Sequence, residues 1–405
     1  MAKTKRKIAC LNNIAAEGLE VFPDGYEVCD DKEGADAWLC RSIDLHNEEF
    51  PAELRAIGRA GAGVNNIPLK RCSEEGIVVF NAPGANANAV SELVISMLIL
   101  SLRDILGGIE AVRELQHKND VAARNGSRAE DIKVQVEAVK KNYVGTEARG
   151  RTLGVIGLGS VGNLVADAAI GLGMQVLGYD PVIHIEHALK LNTQVKLISD
   201  LDELLSQVDF LSVHVPLNDS SKHMINAEKI ALMKDGVVLL NFARDGIYDE
   251  EAVLAALESG KVARYVSDFP NERNIEFPNT ILTPHLGAST EESEVNCARM
   301  VALQLKNYLE EGTIENSVNY ASINLGHQKS PTRAVVLHRN LPGVLQKITH
   351  FIGDNGYNID KMISKSQGDY AVCIFDIDQM LDRPFVLQFR EFPDVLRVRA
   401  LLKDE

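Results

Sequence analysis

The stretch TLGVIGLGSVGNLVADAA, residues 152–169, joins a short apolar run, a glycine-rich turn and a helix-forming segment in immediate succession. A second apolar run, QVLGY at residues 175–179, follows it and ends on Asp180. Short apolar runs of this kind predict buried strands, and the order strand, turn, helix, strand is typical of the sheet unit that binds dinucleotides. We therefore predict a doubly wound α/β domain built around this turn.

The conspicuous residues of the turn each have a physical role in such a unit. Gly157 permits the tight turn, Gly159 lets the backbone approach a pyrophosphate, and Gly162 allows the helix to pack closely on the strand. The helix N-terminus offers free N–H groups and the positive end of the helix dipole. Asp180 can accept hydrogen bonds from both ribose hydroxyls, and its charge would repel a 2′-phosphate. The pattern therefore predicts NAD rather than NADP.

Composition limits the classes of partner. The chain has 405 residues, enough for two or three domains, and its formal net charge of -15 argues against nucleic acid and against an anionic membrane. The most apolar stretch, AVSELVISMLILSL at residues 89–102, is too short to span a bilayer and predicts a buried helix. The cysteines show no metal-ligand spacing, so we expect reduced thiols, no bound metal and a cytoplasmic protein. They are Cys10, Cys29, Cys40, Cys72, Cys297 and Cys373.

The alternation of strands and helices typical of a parallel sheet runs through the first hundred residues and again through residues 151–286. The polar stretch 108–142 predicts a solvated helical hairpin that is broken at Asn125-Gly126. A helix is predicted over Glu291–Glu311, followed by a polar link at residues 316–331. The last part predicts a ferredoxin-like βαββαβ unit, with Pro342 as the first residue of its first helix and Asn340 near the cap.

Three polar side chains follow predicted strands beyond the glycine turn: Arg244 in NFARDGIYDE, Glu272 in SDFPNER and His285 in TPHLGAST. Oxidation of a hydroxyl group needs a base, a role that histidine fits, and a carboxylate can orient that base. Arginine binds carboxylates with its planar fork. Each residue alone is more often a surface or structural group. Their order along the chain predicts a site for a 2-hydroxy acid.

The chain resembles the D-isomer-specific 2-hydroxyacid dehydrogenases in four segments: GRTLGVIGLGSVGN (150–163), NFARDGIYDE (241–250), TPHLGAST (283–290) and NAPGANANAVSEL (81–93). The resemblance implies a flavodoxin-like substrate-binding domain of residues 1–100 and 287–318, a Rossmann-type NAD domain of residues 101–286, and a C-terminal ferredoxin-like ACT domain of residues 331–405. It also implies that Arg244 holds the substrate carboxylate, that His285 is the acid/base, and that Glu272 supports His285.

Further contacts come from the same resemblance. The residues expected to contact NAD are Gly157, Gly159, Ser160, Val161, Gly162, Asp180, His214, Pro216, Ala243, Asp268 and Gly287. Arg41 and Arg59 are the candidates for a substrate phosphate, and the backbone at Gly63 and Val64 is the candidate for the substrate carboxylate. A surface role for Arg41 stays open, and Ile43 stands where some relatives carry another arginine.

Two features depart from the resemblance. The segment SDFPNE is one residue shorter between Asp268 and Glu272 than is usual in the family, and Glu272 is preferred to Glu276 as the supporting carboxylate. The polar stretch 108–142 is longer than in the plainest members, and it lies near the segment through which the family dimerises. We therefore expect it to affect a dimer interface.

The C-terminal segments HRNLPGVLQKI (338–348) and GYNID (356–360) resemble the ACT domains that bind serine between paired copies. The resemblance implies that His338, Asn340 and Asn358 contact L-serine, and that the protein is a homodimer or homotetramer. A purely structural dimerisation domain is the alternative. Amide side chains suit an amino acid because they can both donate to its carboxylate and accept from its ammonium group.

Together these resemblances imply NAD-dependent oxidation of a phosphorylated 2-hydroxy acid, 3-phospho-D-glycerate, with serine as an inhibitor. The first alternative is another dehydrogenase of the same family, acting on glyoxylate or hydroxypyruvate. The second is a nucleotide-sensing binding protein without enzymatic activity, as some transcriptional corepressors of this fold are. Fold alone does not separate these possibilities.

Overall fold

The computed structural model describes residues 5–125, 131–381 and 383–403. The chain divides into two units, one of Met1–Asn86 with Thr290–Glu405 and the other of Ala87–Ser289. Residues 87–100, predicted as part of the substrate-binding domain, lie in the unit that contains the glycine turn. The reason is that the helix they form packs against the helix that follows that turn.

The first unit begins with a five-stranded sheet in which all neighbouring strands are parallel, in the order β2-β1-β3-β4-β5. Its elements are β1 Arg6–Cys10, α1 Ala16–Leu19, β2 Tyr26–Cys29, β3 Ala37–Cys40, β4 Ala56–Arg59, α2 Leu69–Glu74 and β5 Val78–Phe80. This order is the flavodoxin-like arrangement that the resemblance implied. Sequence reasoning missed β2, a short edge strand whose central residues, Glu27 and Val28, are exposed.

The second unit is a seven-stranded parallel sheet in the order β12-β11-β10-β9-β6-β7-β8, which contains the Rossmann order of two mononucleotide-binding halves. The segments before its first strand are α3 Ala87–Leu102, α4 Ile105–Arg124, α5 Ile132–Val139 and a 3-10 turn, Lys140–Tyr143. The sheet unit comprises β6 Thr152–Ile156, α6 Ser160–Gly171, β7 Gln175–Tyr179, α7 Ile185–Ala188, β8 Lys196–Leu197, α8 Leu201–Leu205, β9 Phe210–Val213, α9 Ala227–Leu232, β10 Val237–Asn241, α10 Glu250–Glu258, β11 Val262–Ser267, a 3-10 turn Asn274–Glu276 and β12 Thr280–Leu282.

Helices α4 and α5 pack on each other, as expected for the polar stretch 108–142. Neither helix has a buried residue among those described, which fits a solvated hairpin. Helix α4 ends at Arg124, with Asn125 at its C-cap. Gly126, the second residue of the predicted break, lies outside the described residues.

The first unit resumes with α11, Glu291–Glu311, as predicted. The C-terminal elements are β13 Thr332–Arg339, α12 Val344–Asp354, β14 Ile359–Gln367, β15 Tyr370–Ile377, α13 Arg383–Arg390 and β16 Val395–Leu402. The four strands pair antiparallel in the order β14-β15-β13-β16, which is the ferredoxin-like arrangement.

The predicted start of α12 was wrong. The helix begins at Val344, and Gly343 precedes it with a φ of +81°, a conformation that glycine adopts without strain. Pro342 therefore lies before the helix. The side chain of Asn340 does not cap the helix and donates instead to the carbonyl oxygen of Gly368 at 2.9 Å.

One hydrophobic core joins the N-terminal sheet, α11 and the C-terminal sheet within the first unit. Phe80 of β5, Tyr308 of α11 and Val335 of β13 belong to the same buried cluster. Arg333 of β13 is fully buried and donates to both carboxylate oxygens of Asp376 at 2.7 and 2.9 Å. Its Nη1 also forms an ion pair with Glu311 of α11 at 3.2 Å. The C-terminal domain is therefore packed on the rest of its unit through both apolar and ionic contacts.

Across the described ranges, the helices all fall short of the combined length and apolarity that crossing a bilayer would need.

Candidate active site

The glycine-rich turn joins β6 to α6 and leaves room only where an anion would lie. Gly157 has a φ of +88°, and a Cβ atom on it would lie 2.7 Å from the carbonyl oxygen of His214. A Cβ atom on Gly162 would lie 1.9 Å from the carbonyl oxygen of Gly157. By contrast, a Cβ atom on Gly159 would meet no atom within 4 Å. The turn is thus closed by backbone on the inside and open on the side from which a pyrophosphate would approach.

Helix α6 starts directly at this opening. Gly159 is its N-cap, Ser160 and Val161 are its first two residues, and no side chain caps it. The N–H groups of the first turn of an uncapped helix have no intrahelical partner, and the helix dipole favours a negative charge there. The start of α6 therefore fits the pyrophosphate of NAD.

Asp180 follows the end of β7, beside the turn. Its carboxylate accepts hydrogen bonds from the backbone N–H of Leu158 at 2.9 Å and of Val182 at 3.0 Å. These bonds fix the carboxylate at the carboxyl end of the sheet and leave it further acceptor capacity. A fixed negative charge in this position can bind ribose hydroxyls and disfavours a 2′-phosphate.

His214 and Pro216 follow β9, the strand next to β6. The His214 Nε2 lies 2.8 Å from the Ser212 hydroxyl oxygen, and burial lowers the pKa of His214 to about 4. The ring is therefore neutral at physiological pH. Pro216 is exposed, and its carbonyl oxygen accepts from the Ser221 hydroxyl at 2.6 Å. Two ring side chains without charge are compatible with the adenine side of a dinucleotide site.

Arg244 is exposed in the loop after β10, and its guanidinium donates to the carbonyl oxygen of Ala243 at 2.7 Å. The loop is held by Asn241, the last residue of β10, which is 1% exposed. The Asn241 amide donates to the carbonyl oxygen of Arg244 at 3.0 Å and to the Tyr265 hydroxyl at 3.3 Å. Sequence reasoning did not single out Asn241, although a lone asparagine at the end of an apolar strand was a usable signal.

His285 lies in the loop after β12 in a strained conformation. Its φ is +57°, which is unusual for a residue other than glycine, and its side chain is exposed. The ring lies 5.0 Å from that of Phe269 between centroids. A strained backbone persists only where the surrounding structure imposes it, and such residues cluster at functional sites. The conformation thus supports a functional role for His285.

Asp268 holds the loop that carries His285. The side chain of Asp268 is buried; Oδ1 accepts from the Thr283 hydroxyl at 2.6 Å and from the N–H of Leu286 at 2.7 Å, and Oδ2 accepts from the N–H of Gly287 at 2.7 Å. These three bonds surround His285 on both sides along the chain. Asp268 and Gly287 are predicted cofactor contacts, and these hydrogen bonds show that Asp268 also fixes the loop, which the sequence did not suggest.

Glu272 is exposed in the loop after β11. This loop is fixed by Asn274, which is buried and donates to the carbonyl oxygen of Phe269 at 2.9 Å and to Glu250 at 3.0 Å. Among the residues that the structure describes, no hydrogen bond or ion pair joins Glu272 to His285. The support of His285 by Glu272 therefore stays a prediction.

The residues predicted for substrate phosphate lie in the first unit. Arg41 follows β3, and its Nη1 forms an ion pair with Glu294 of α11 at 2.5 Å. Arg59 ends β4 and donates from Nε to the carbonyl oxygen of Arg41 at 3.0 Å. Gly63 and Val64 lie in the loop after β4. Sequence reasoning missed Glu294, since nothing in the sequence brings it to Arg41 across a separation of this length.

The residues predicted for the effector are not brought together within one chain. His338 is buried near the end of β13; its Nδ1 donates to the carbonyl oxygen of Arg339, and its Nε2 lies 3.2 Å from the Cys373 sulfur. Burial lowers the pKa of His338. Asn340 and Asn358 are exposed.

The register of the sheet separates these residues. His338 faces Ala371 on β15, whereas Asn358 precedes Ile359, which faces Ile377 at the other end of β15. At about 3.3 Å per residue, the two ends of β15 lie about 20 Å apart. A single small amino acid cannot bridge that distance.

Comparison with known proteins gives two family matches. The NAD-binding domain of the D-isomer specific 2-hydroxyacid dehydrogenases matches residues 116–287, and the ACT domain matches residues 332–389. The second match coincides with the ferredoxin-like sheet of the first unit.

Relatives of similar length carry one function in their names. D-3-phosphoglycerate dehydrogenase 2 of Saccharomyces cerevisiae is 32% identical over 412 residues, which cover 92% of this chain and 82% of that protein. D-3-phosphoglycerate dehydrogenase of Escherichia coli is 34% identical over 367 residues, 86% of this chain and 82% of that protein. The crystal structure of NAD+-bound 3-phosphoglycerate dehydrogenase from Entamoeba histolytica is similar with a TM-score of 0.58 and 28% identity, over 78% of this chain and 99% of that one.

Proposed function

The chain belongs to the D-isomer-specific 2-hydroxyacid dehydrogenases and is an NAD-dependent dehydrogenase, and on that premise we propose that it oxidises 3-phospho-D-glycerate to 3-phosphohydroxypyruvate. The observation that carries the proposal is the strained, exposed His285 in a loop fixed by Asp268. The names of the relatives support the choice of substrate.

The residues of the second unit divide the chemistry among them. NAD, held at the start of α6 and by Asp180, would supply the acceptor for the hydride that leaves C2 of the substrate. His285 takes the proton of the C2 hydroxyl group, so that the alcohol becomes a ketone and the proton stays on the imidazole. Arg244 binds the substrate carboxylate with its fork, which fixes C2 relative to the base. In the reverse direction His285 returns the proton to the carbonyl oxygen.

The ion pair between Arg41 and Glu294 bears on phosphate recognition. A phosphate that binds Arg41 has to compete with the Glu294 carboxylate, and a second negative charge at this distance weakens phosphate binding. Glu294 therefore sets how strongly Arg41 distinguishes phosphorylated from unphosphorylated acids. The same ion pair favours the alternative of an unphosphorylated substrate, since an occupied arginine is a poorer phosphate ligand.

Oxidation of NADH with 3-phosphohydroxypyruvate, hydroxypyruvate or glyoxylate separates these possibilities. We expect the highest kcat/KM with the phosphorylated acid. Arg41→Gln should raise KM for that acid and leave KM for glyoxylate unchanged, whereas Glu294→Gln should lower KM for the phosphorylated acid only. Higher kcat/KM with glyoxylate in the wild type would favour the alternative, and no turnover with any acid would contradict an enzymatic role.

We also propose that L-serine inhibits the enzyme by binding between two ACT domains of a homo-oligomer. Within one chain, His338 and Asn358 lie about 20 Å apart along the sheet. If two copies pair antiparallel, His338 of one copy comes close to Asn358 of the other, and this supports a site between copies. Within the described ranges, the edge strand β14 pairs on one side only and carries mostly exposed residues, so it can pair with a second copy.

Mixed oligomers test this arrangement. Asn340→Ala and Asn358→Ala should each abolish inhibition by L-serine, while Asn355→Ala, an exposed asparagine at the end of α12, should not. When the two serine-insensitive variants are mixed and allowed to exchange subunits, one site of each mixed pair keeps both asparagines, so part of the inhibition should return. Failure of inhibition to return would place each site within one chain, and D-serine is the specificity control.

A further inference from the structure

Two adjoining cavities in the first unit have several arginines in their lining. Their volumes are about 540 and 400 Å³, and they share Arg55, Arg390 and Arg399. The arginines of the two linings are Arg6, Arg55, Arg390, Arg397 and Arg399, and the acidic residues are Glu53 and Glu310. In a chain with a formal net charge of -15, such a concentration of positive charge is unusual.

The two arginines of β16 have no carboxylate partner among the described residues. Arg397 donates to the carbonyl oxygens of Leu54 at 2.7 Å and Glu75 at 3.1 Å. Arg399 donates to the carbonyl oxygens of Tyr308 at 3.1 Å and Leu309 at 3.0 Å, and its side chain is largely buried. These bonds satisfy N–H groups, but main-chain carbonyls carry no net charge. Both guanidinium charges therefore remain without a counterion.

The other arginines of the lining are only partly neutralised. Arg6 lies 3.6 Å from Glu310, and Arg55 pairs with Asp36. Arg390, at the end of α13, is exposed and makes one long hydrogen bond, 3.4 Å, to the carbonyl oxygen of Val398. Its charge has no carboxylate partner in the described part of the chain.

Burial and nearby positive charge both act on the two arginines of β16. Burial lowers the pKa of Arg399, and the nearby charge of Arg55 lowers it further. The pKa of Arg397 is also lowered by burial, and by the charges of Arg55 and Arg390. A like-charge cluster with restricted access to water is unfavourable by itself, and a bound anion would relieve it.

We propose that these two cavities bind a small polyanion, a phosphate ester or a polycarboxylate, at a site separate from the residues assigned to the hydroxy acid. Arginine forks bind both kinds of anion with two parallel hydrogen bonds. The cavities are bounded by the N-terminal sheet region, the end of α11, and α13 and β16 of the ACT domain. A bound anion would therefore link the ACT domain to the remainder of its unit.

Thermal unfolding with added inorganic phosphate or citrate tests the site, with sodium chloride at equal ionic strength as the reference for screening. We expect each anion to raise the Tm of the wild-type protein in a saturable way. Arg390→Gln should weaken the apparent Kd about tenfold, and Arg390→Glu should abolish the effect, because loss or reversal of one charge-assisted contact acts directly on the anion. Arg113→Gln, with the same charge change on the exposed face of α4, is the matched control and should bind like the wild type.

The ligand class is identified by comparing phosphate with citrate, and the site by comparing the Arg41→Gln and Arg390→Glu variants. Tighter binding of phosphate would identify the ligand class as phosphate esters, and tighter binding of citrate would identify it as polycarboxylates. Binding that is lost in Arg41→Gln but kept in Arg390→Glu would belong to the predicted substrate site and would overturn the proposal. A rise in Tm that sodium chloride reproduces would overturn it as well.

Discussion

Replacement of Asp268 by asparagine removes the support of the His285 loop with almost no change in volume. In the wild type, both carboxylate oxygens accept hydrogen bonds, from the Thr283 hydroxyl and from the N–H groups of Leu286 and Gly287. An asparagine offers only one acceptor oxygen. Its NH2 group only donates, so it would lie against the N–H of Leu286 or of Gly287, and that N–H would lose its acceptor.

The size of the effect follows from this geometry. A buried N–H group left without an acceptor costs about 1–3 kcal/mol. His285 is held at a φ of +57°, and this conformation costs a non-glycine residue about 1–2 kcal/mol, so the loop has a reason to relax once the bonds are lost. A displacement of the base by about 1 Å lowers the rate of the chemical step by roughly 100-fold. We therefore expect kcat to fall by about two orders of magnitude.

The assay is steady-state oxidation of NADH with 3-phosphohydroxypyruvate, together with the primary deuterium isotope effect from NADH deuterated at the transferred position. In Asp268→Asn, kcat should fall and the isotope effect should rise, because hydride transfer becomes rate-limiting. Asp209→Asn is the matched control. Its carboxylate also accepts from a backbone N–H, that of Thr152 at 2.8 Å, but it precedes β9 at the opposite end of the sheet.

The control should lose stability and keep kcat. If Asp268→Asn lowers the free energy of unfolding but leaves kcat and the isotope effect at their wild-type values, Asp268 does not position the base. An equal loss of kcat in Asp209→Asn would show that the effect is general destabilisation. A rise in the Kd for NADH with unchanged kcat would instead favour direct contact between Asp268 and the cofactor.

Three further changes test other parts of the structure. Gly162→Ala introduces a Cβ atom 1.9 Å from a backbone carbonyl oxygen, so the Kd for NADH measured by fluorescence should rise at least about tenfold. Gly171→Ala is the control: its added Cβ would meet no atom within 4 Å, and the Kd should stay unchanged. Burial lowers the pKa of His214 to about 4, so the unfolded state, in which the histidine has its ordinary pKa of about 6.5, binds the proton more readily. This residue therefore makes the free energy of unfolding fall by up to about 3 kcal/mol as the pH drops from about 6.5 to about 4, and His214→Gln should remove that slope in urea titrations. Arg333→Met leaves Asp376 buried without its partner and should lower the free energy of unfolding by about 3–5 kcal/mol, whereas a loss below 1 kcal/mol would mean that the ion pair contributes little.

Most regular elements were predictable because their signals are local. The strand, turn and helix at residues 152–169 follow from apolar residues and glycines that are neighbours in the sequence. The helix Glu291–Glu311 has Thr290 as a side-chain cap and acidic residues in its first turn, and both signals are readable without a structure. The fold class of each sheet, Rossmann-type, flavodoxin-like or ferredoxin-like, was predicted as well and is confirmed.

The errors have physical causes that are not local. The start of α12 was misplaced because Pro342 and Asn340 fit a helix start, whereas the Gly343 backbone and the bond from Asn340 to Gly368 across the sheet decide the conformation. The edge strand β2 was missed because its pairing with β1 compensates for a weak strand pattern. In both cases a partner distant in the sequence outweighed local preference.

The sequence by itself determined the class of the protein. The glycine turn and the acid after the second strand predict NAD, because they provide space for a pyrophosphate and an acceptor for ribose hydroxyls. The arginine, glutamate and histidine that follow in order predict a dehydrogenase. Only the tertiary structure decided which side chains contact the predicted site residues and which residues form the arginine-lined cavities. Asp268 accepts hydrogen bonds from the loop of His285, Glu294 forms an ion pair with Arg41, and five arginines line one pair of cavities. These partners are widely separated along the chain. Hydrogen bonds and charges act over a few ångströms in space, and the folding of the chain, which no single segment specifies, determines which groups come within that range.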